Sequence, residues 1–193
     1  MTARPAARRL VLARLALAAF LTPHAMTPAL AAPAVPPTPA ELATALPRAQ
    51  LRGTGVLRFF GLRVYEARLW TSPGFQPDDY ARQPFALELV YDRRLEGAAI
   101  AERSVAEMRR IGSFDEARAK RWLALMKQAF PDVAATDRLT GLSDGQGEVR
   151  FFHNGRETAQ TVDADYARLF FGIWLAPQTS APALRQALLG TGG

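Results

Sequence analysis

Between residues 51 and 70 the chain reads LRGTGVLRFFGLRVYEARLW, in which two runs rich in β-branched and aromatic residues, 56–60 and 62–70, meet at Gly61. The pattern predicts two adjacent strands. A period of two puts Val56, Arg58 and Phe60 on one face of the first and Leu57 and Phe59 on the other, so a permanently charged guanidinium stands in line with apolar neighbours. After a loop over 71–83 built on Pro73-Gly74 and Pro77-Asp78-Asp79, residues 84–93 alternate cleanly. Phe85, Leu87, Leu89 and Tyr91 share one face, which predicts a third strand with a buried side.

The period then changes to 3.6. Ile100, Ser104, Val105 and Met108 form one stripe of a helix over 97–110, with Glu102, Arg103, Glu107 and Arg109 outside it and Gly112 suited to close it. Ser113 followed by Glu116 reads as a capping box for a second helix over 114–130, burying Trp122, Leu125, Met126 and Phe130 and stopped by Pro131. Strands return at 138–142 and 149–153, and the turn dipeptide Asn154-Gly155 joins the latter to 156–162 in a primed hairpin. Asp163 or Asp165 caps a helix over 166–174, and Ser180 caps another over 182–189 with proline near its first turn. The order β-β-β-α-α-β-β-β-α-α predicts an α+β fold, an antiparallel sheet with helices packed on one face.

The first 31 residues follow a different pattern. Basic residues through Arg9 precede an apolar run over 10–21, interrupted by Arg14, and Ala29-Leu30-Ala31 supplies a small-x-small cleavage pattern. This predicts a signal peptide over 1–31, cleaved near Ala31, and a periplasmic protein whose membrane contact is transient and made only through the leader. Residues 32–46 read as a proline-rich N-terminal arm, opening APAVPPTP, and residues 47–193 as one domain.

Export changes the meaning of the charge. The four leader arginines (Arg4, Arg8, Arg9, Arg14), unaccompanied by any acid, take the formal +6 to +2 when removed, so the basic balance gives no reason to expect a nucleic-acid partner. The chain has no cysteine, and His153 is the one histidine beyond the leader. Disulfides, a thiol nucleophile, a histidine-rich metal site and a conventional Ser-His-Asp triad are therefore not expected. The sequence calls for no cofactor and names no protein partner.

The order Leu51-x-Gly53-x-Gly55, then Arg58, Val64, Tyr65, Leu69 and Trp70 resembles the opening strands of the chalcone isomerase-like family, and within it the bacterial exported branch. The resemblance continues through PFALELVYDRR (84–94), IAERSVAEMRRIG (100–112), FFHNG (151–155) and FFGIWLAPQTSAPALRQALLG (170–190). It implies an open-faced β-sandwich in which an arginine on an early strand holds an oxyanion, a carbonyl in the isomerases and a carboxylate in the fatty-acid-binding branch, beside a tyrosine hydroxyl. Carried onto this chain, that makes Arg58 the anchor, with Tyr65 or Tyr91 adding a hydrogen bond and Val56 and Phe60 holding apolar chain. A planar fork of donors facing an apolar cleft suits a carboxylate. Arg48 and Arg52 lie upstream in a register the sequence does not fix, and Arg58 could instead pair with Glu66 or Glu88. Arg103 and Glu107 match the look of the exported branch and read as a helix-surface ion pair. His153 reads as a turn-flanking residue.

The isomerases also use a threonine on the early strand and an asparagine. Here Phe59 and Phe60 stand where that threonine is sought, and the helix over 100–112 has neither tyrosine nor asparagine, which removes donors for a developing enolate. The expectation is thus a non-catalytic binder of a small apolar carboxylate such as a fatty acid. The alternatives are an isomerase or intramolecular lyase on an enone or flavonoid-like substrate, with Arg58 polarising the carbonyl, and an envelope accessory or scaffold protein without a ligand.

Overall fold

The computed structural model describes Thr2 and residues 36–191. The expected leader and the start of the proline-rich arm lie outside the described residues. Six strands form one antiparallel sheet in the order of the chain: β1 (Gln50–Phe59), β2 (Leu62–Thr71), β3 (Phe85–Tyr91), β4 (Arg138–Ser143), β5 (Glu148–His153) and β6 (Arg156–Val162). Helices α1 (Gly97–Ile111) and α2 (Glu116–Ala129) are inserted between β3 and β4, and α3 (Ala164–Leu175) and α4 (Pro182–Leu189) follow β6. The architecture is α+β, as the alternation of periods predicts, and the loop after β2 carries a 3-10 stretch, Pro77–Arg82.

Alternate residues divide the sheet into two faces. Tyr65, Ala67 and Leu69 of β2, Phe85, Leu87, Leu89 and Tyr91 of β3, and Phe151 of β5 turn toward the helices and join their apolar stripes in the main core. The opposite face carries a smaller cluster of Trp70, Ala86, Leu142 and Phe152, covered by Leu42 and Leu46. Both leucines are essentially fully buried, so the folded unit starts before residue 47, and the end of the arm is part of it. Hydrophobic area brings that segment onto the sheet, and Glu41 fastens it by accepting a hydrogen bond from the Thr140 hydroxyl (2.9 Å). Beneath it the Glu88 carboxylate is buried and accepts from Arg138 (2.6 Å) and the Trp70 indole (3.2 Å), with Arg68 at 3.5 Å. Glu88 is thus taken by Arg68 and Arg138, and Glu66 by Arg63 and Arg68, not by Arg58.

Two expected helix caps, those of α2 and α4, are not the ones used, and at α3 one of the two expected candidates serves. Asp115 rather than Ser113 opens α2, its carboxylate accepting from the Arg118 N–H at 2.7 Å. Asp163 rather than Asp165 caps α3, accepting from the Tyr166 N–H at 3.0 Å. At α4 the residue preceding the helix is Ala181 with no side-chain cap, so Ser180 does not serve. The ladder also departs from a strict period of two, with register shifts between Leu51 and Gly53 and between Leu57 and Arg58. The second of these decides what the end of β1 presents.

Candidate ligand-binding site

Between the helix-facing side of the sheet and helices α1 and α3 lies a cavity of about 430 Å³, within the range of small-molecule sites. Its walls are the apolar residues that the two periods place there, among them Leu87, Leu89, Leu139, Ile100, Phe151 and Phe170. Such walls favour hydrocarbon by removing its surface from water.

Polar groups collect at one pole. Tyr65 and Tyr91 are direct partners across β2 and β3, their rings edge to face at 5.8 Å. The Trp174 indole N–H, from the last turn of α3, donates to the Tyr65 hydroxyl oxygen at 2.9 Å, leaving the Tyr65 proton available. The Tyr91 hydroxyl has no hydrogen-bond partner among the described residues. Burial pushes both phenols well above the usual tyrosine range, with the Glu107 carboxylate adding to the effect at Tyr65. Both therefore stay protonated, as neutral donors aimed at the cavity. From α1 comes Glu107, whose side chain is 9% exposed, in contact with Arg103 (2.6 Å) and Arg110 (3.6 Å), which stand 70% and 61% exposed. Of the charged side chains that border the cavity, Arg58, Arg103 and Glu107, two are cations and one an anion, so its edge carries excess positive charge.

The sequence-predicted residues divide. Tyr65, Tyr91 and Arg58 all border the cavity; Val56 and Phe60 do not. Phe60 is 89% exposed at the β1–β2 turn, where no apolar chain in the cavity reaches it. Val56, opposite Glu66, belongs to the other side of the sheet. The register shift after Leu57 breaks the alternation that grouped Val56 with Arg58, and Leu57, Arg58 and Phe59 all reach the mouth. Arg58 is exposed there, donating weakly to the Gly61 carbonyl at 3.4 Å. Of the other early arginines, Arg48 is exposed away from the cavity lining. Arg52 is directed at Phe75, donating to its carbonyl at 3.4 Å and lying 5.6 Å from the ring centre. His153 flanks the hairpin turn, with its Nε2 3.2 Å from the Asn154 amide nitrogen.

Arg103, Glu107 and Trp174 are the site residues that sequence reasoning missed. A signal for Glu107 was present: it stands seven residues after Ile100 and three after Ser104, on the same stripe. Trp174 gave none, because an aromatic at helical spacing reads as core.

The family model described as chalcone isomerase-like matches residues 38–190. A Haemophilus influenzae protein described as uncharacterized is 27% identical over 128 residues, 66% of this chain but 61% of the relative, so the chain spans less than two thirds of that relative's length. Among solved structures, an Arabidopsis thaliana fatty-acid-binding protein superposes with a TM-score of 0.58 at 10% identity, over 74% of this chain and 87% of its own. At that identity the likeness is one of fold.

Proposed function

This chain is a member of the chalcone isomerase-like family, and from that premise we propose that it binds a small apolar carboxylate, of the fatty-acid class, in the cavity between sheet and helices. The observation that carries the reading is the division of the cavity: hydrocarbon walls, and at one pole two neutral phenols beside guanidiniums. An acyl chain lies among Leu87, Leu89 and Phe170, while its carboxylate accepts from Tyr91 and Tyr65 and meets Arg58 and Arg103 at the mouth. The excess of cations over Glu107 favours an anionic head. The fold shared with a fatty-acid-binding protein is consistent with this cargo. The proposal includes the exported branch and the periplasm: the basic, apolar and small-residue succession of the first 31 residues supports cleavage near Ala31.

Native mass spectrometry of the protein recovered from its host, followed by extraction and identification of the bound lipid, tests it. The expected result is a bound fatty acid, depleted in Arg58→Ala, Arg103→Ala and the double variant while each melts near the parent temperature. A protein free of ligand, and still free after incubation with acyl chains, overturns the carrier reading.

A further inference from the structure

Phe59, Phe60 and Leu62 are three of the four large hydrophobic side chains exposed among the described residues, at 59%, 89% and 55%. All three sit on the β1–β2 turn. Folding does not account for the aromatic at its tip. Phe60 (φ 48) and Gly61 (φ 78) repeat the backbone of Asn154 (φ 50) and Gly155 (φ 84), where β5 meets β6. The first position of such a turn favours asparagine, and a bulky residue in the left-handed region is an outlier. Phe60 bears that conformational penalty and gains no burial in return.

The tip is also continuous with the site. The Phe59 and Phe60 rings pack edge to face at 4.5 Å, and Phe59 borders the cavity together with Arg58. Arg58 has no carboxylate in ion-pair range among the described residues, unlike Arg63 across the strand, which holds Asp92 at 3.1 Å. A guanidinium left over beside a projecting apolar turn complements an anionic surface.

We propose that the β1–β2 tip is a lipid-docking element. Phe60, Phe59 and Leu62 enter the boundary between headgroups and acyl chains of an anionic bilayer, Arg58 meets lipid phosphate, and the cavity mouth is held against the surface. A protein partner fits less well. Three side chains on a convex turn bury roughly 600 Å² at most, against about 800 Å² per partner in a stable protein interface, whereas a few apolar groups and a cation suffice at a membrane. The folded domain thereby gains a membrane contact that the sequence reading confined to the leader. Docking stands without the cargo; it draws on the carrier reading only for what passes through the mouth.

The absence of cysteine makes the test direct. In the full chain, Phe60→Cys carries a single environment-sensitive fluorophore, and Val162→Cys, 80% exposed on the opposite edge strand, carries the control. With phosphatidylglycerol-containing vesicles the label at 60 is expected to brighten and shift to the blue while the label at 162 does not. Adding Arg58→Gln to the Phe60→Cys protein weakens that response about fivefold, the scale of one basic residue near an anionic surface. Phe60→Asn, which suits the turn, is expected to melt at or above the parent and to keep acyl-probe uptake in solution. A label at 60 that is silent, or no more responsive than the one at 162, overturns the proposal. So does a response that depends on protein concentration without lipid, which would make a second copy the occupant, or a Phe60→Asn protein that melts well below the parent. Loss of solution acyl uptake in the parent would sink the carrier reading alone.

Discussion

At the polar pole the two tyrosines differ in what depends on them. The Tyr65 hydroxyl is the acceptor for the buried Trp174 indole N–H, whereas no protein group depends on the Tyr91 hydroxyl among the described residues. Tyr65→Phe strands that indole and is expected to cost about 1–3 kcal/mol of stability in urea unfolding. Tyr91→Phe should change stability by less than about 0.5 kcal/mol yet weaken acyl-carboxylate binding roughly three- to tenfold by titration, since its donor is free for the ligand. Equal destabilisation by both would place Tyr91 in the frame of the fold instead. Because burial raises both phenols, they stay donors across the ordinary range, and binding should not change between about pH 6 and 9 on their account. Tyr65 and Tyr91 could be picked out because the family resemblance implies a tyrosine beside the arginine and both stand on strands expected in the core; both border the cavity. Phe60 misled because a period of two carries no information about where a strand ends and a turn begins.

Elements were more legible than their junctions. The six strands and four α-helices were readable, most from their hydrophobic period and β6 from the Asn154-Gly155 turn, but the 3-10 stretch at Pro77–Arg82 and the register shifts in β1 were not, since a bulge is fixed by pairing with β2 rather than by the bulged residues themselves. The glycines of β1 show how pairing and packing meet. A Cβ on Gly53 would stand 2.3 Å from the Ala187 carbonyl oxygen and 2.5 Å from that of Leu188, in the backbone of α4. At Gly55 it would meet chiefly the Leu184 and Ala187 side chains, at 2.6 and 3.0 Å. Gly53→Ala is therefore expected to lift α4 and cost about 2–3 kcal/mol, and Gly55→Ala less than that, because a leucine side chain yields more readily than a helix backbone. Thermal melts of the two order them, and the reverse order would mean that α4 does not rest on β1 as described. At the other hairpin, Asp137 accepts from the Asn154 amide (2.9 Å) and the Ala134 N–H (2.7 Å), which hold its carboxyl below the usual range. Its contribution is complete above the ordinary carboxylate value and is lost as pH falls through the lowered one. Asp137→Asn should thus be less stable than the parent by about 1 kcal/mol near neutral pH, given the partial exposure of the pair. In urea melts that gap should close toward about pH 2; a gap that persists there would assign the effect to something other than the charge.

On the scale of the whole molecule the question is why a core this well supplied with aromatics keeps a cavity. The sheet is clamped from both sides, by the helices on one face and by Leu42, Leu46 and Glu41 on the other, so the walls cannot simply collapse inward. An unfilled apolar cavity forfeits packing contacts and lowers stability in proportion to its size. That loss is explicable if the space is occupied when the protein works, and it gives a way to separate a cargo site from a packing defect. Ser104 lies on the buried stripe of α1 and lines the cavity, and its hydroxyl merely donates back to the Ile100 carbonyl at 2.8 Å within the same helix. Ser104→Leu replaces that bond with a better helix former whose side chain projects into the empty space. The ligand-free variant is expected to melt above the parent by a few degrees, to bind acyl chains at least tenfold more weakly, and to show a smaller rise in melting temperature on adding them. Calorimetric melts with and without an acyl probe read all three. If Ser104→Leu gains stability but keeps its affinity, the acyl chain lies elsewhere and the cavity is only a gap; if it loses both, α1 has no room to accept the larger side chain and the space is smaller in solution than the geometry describes.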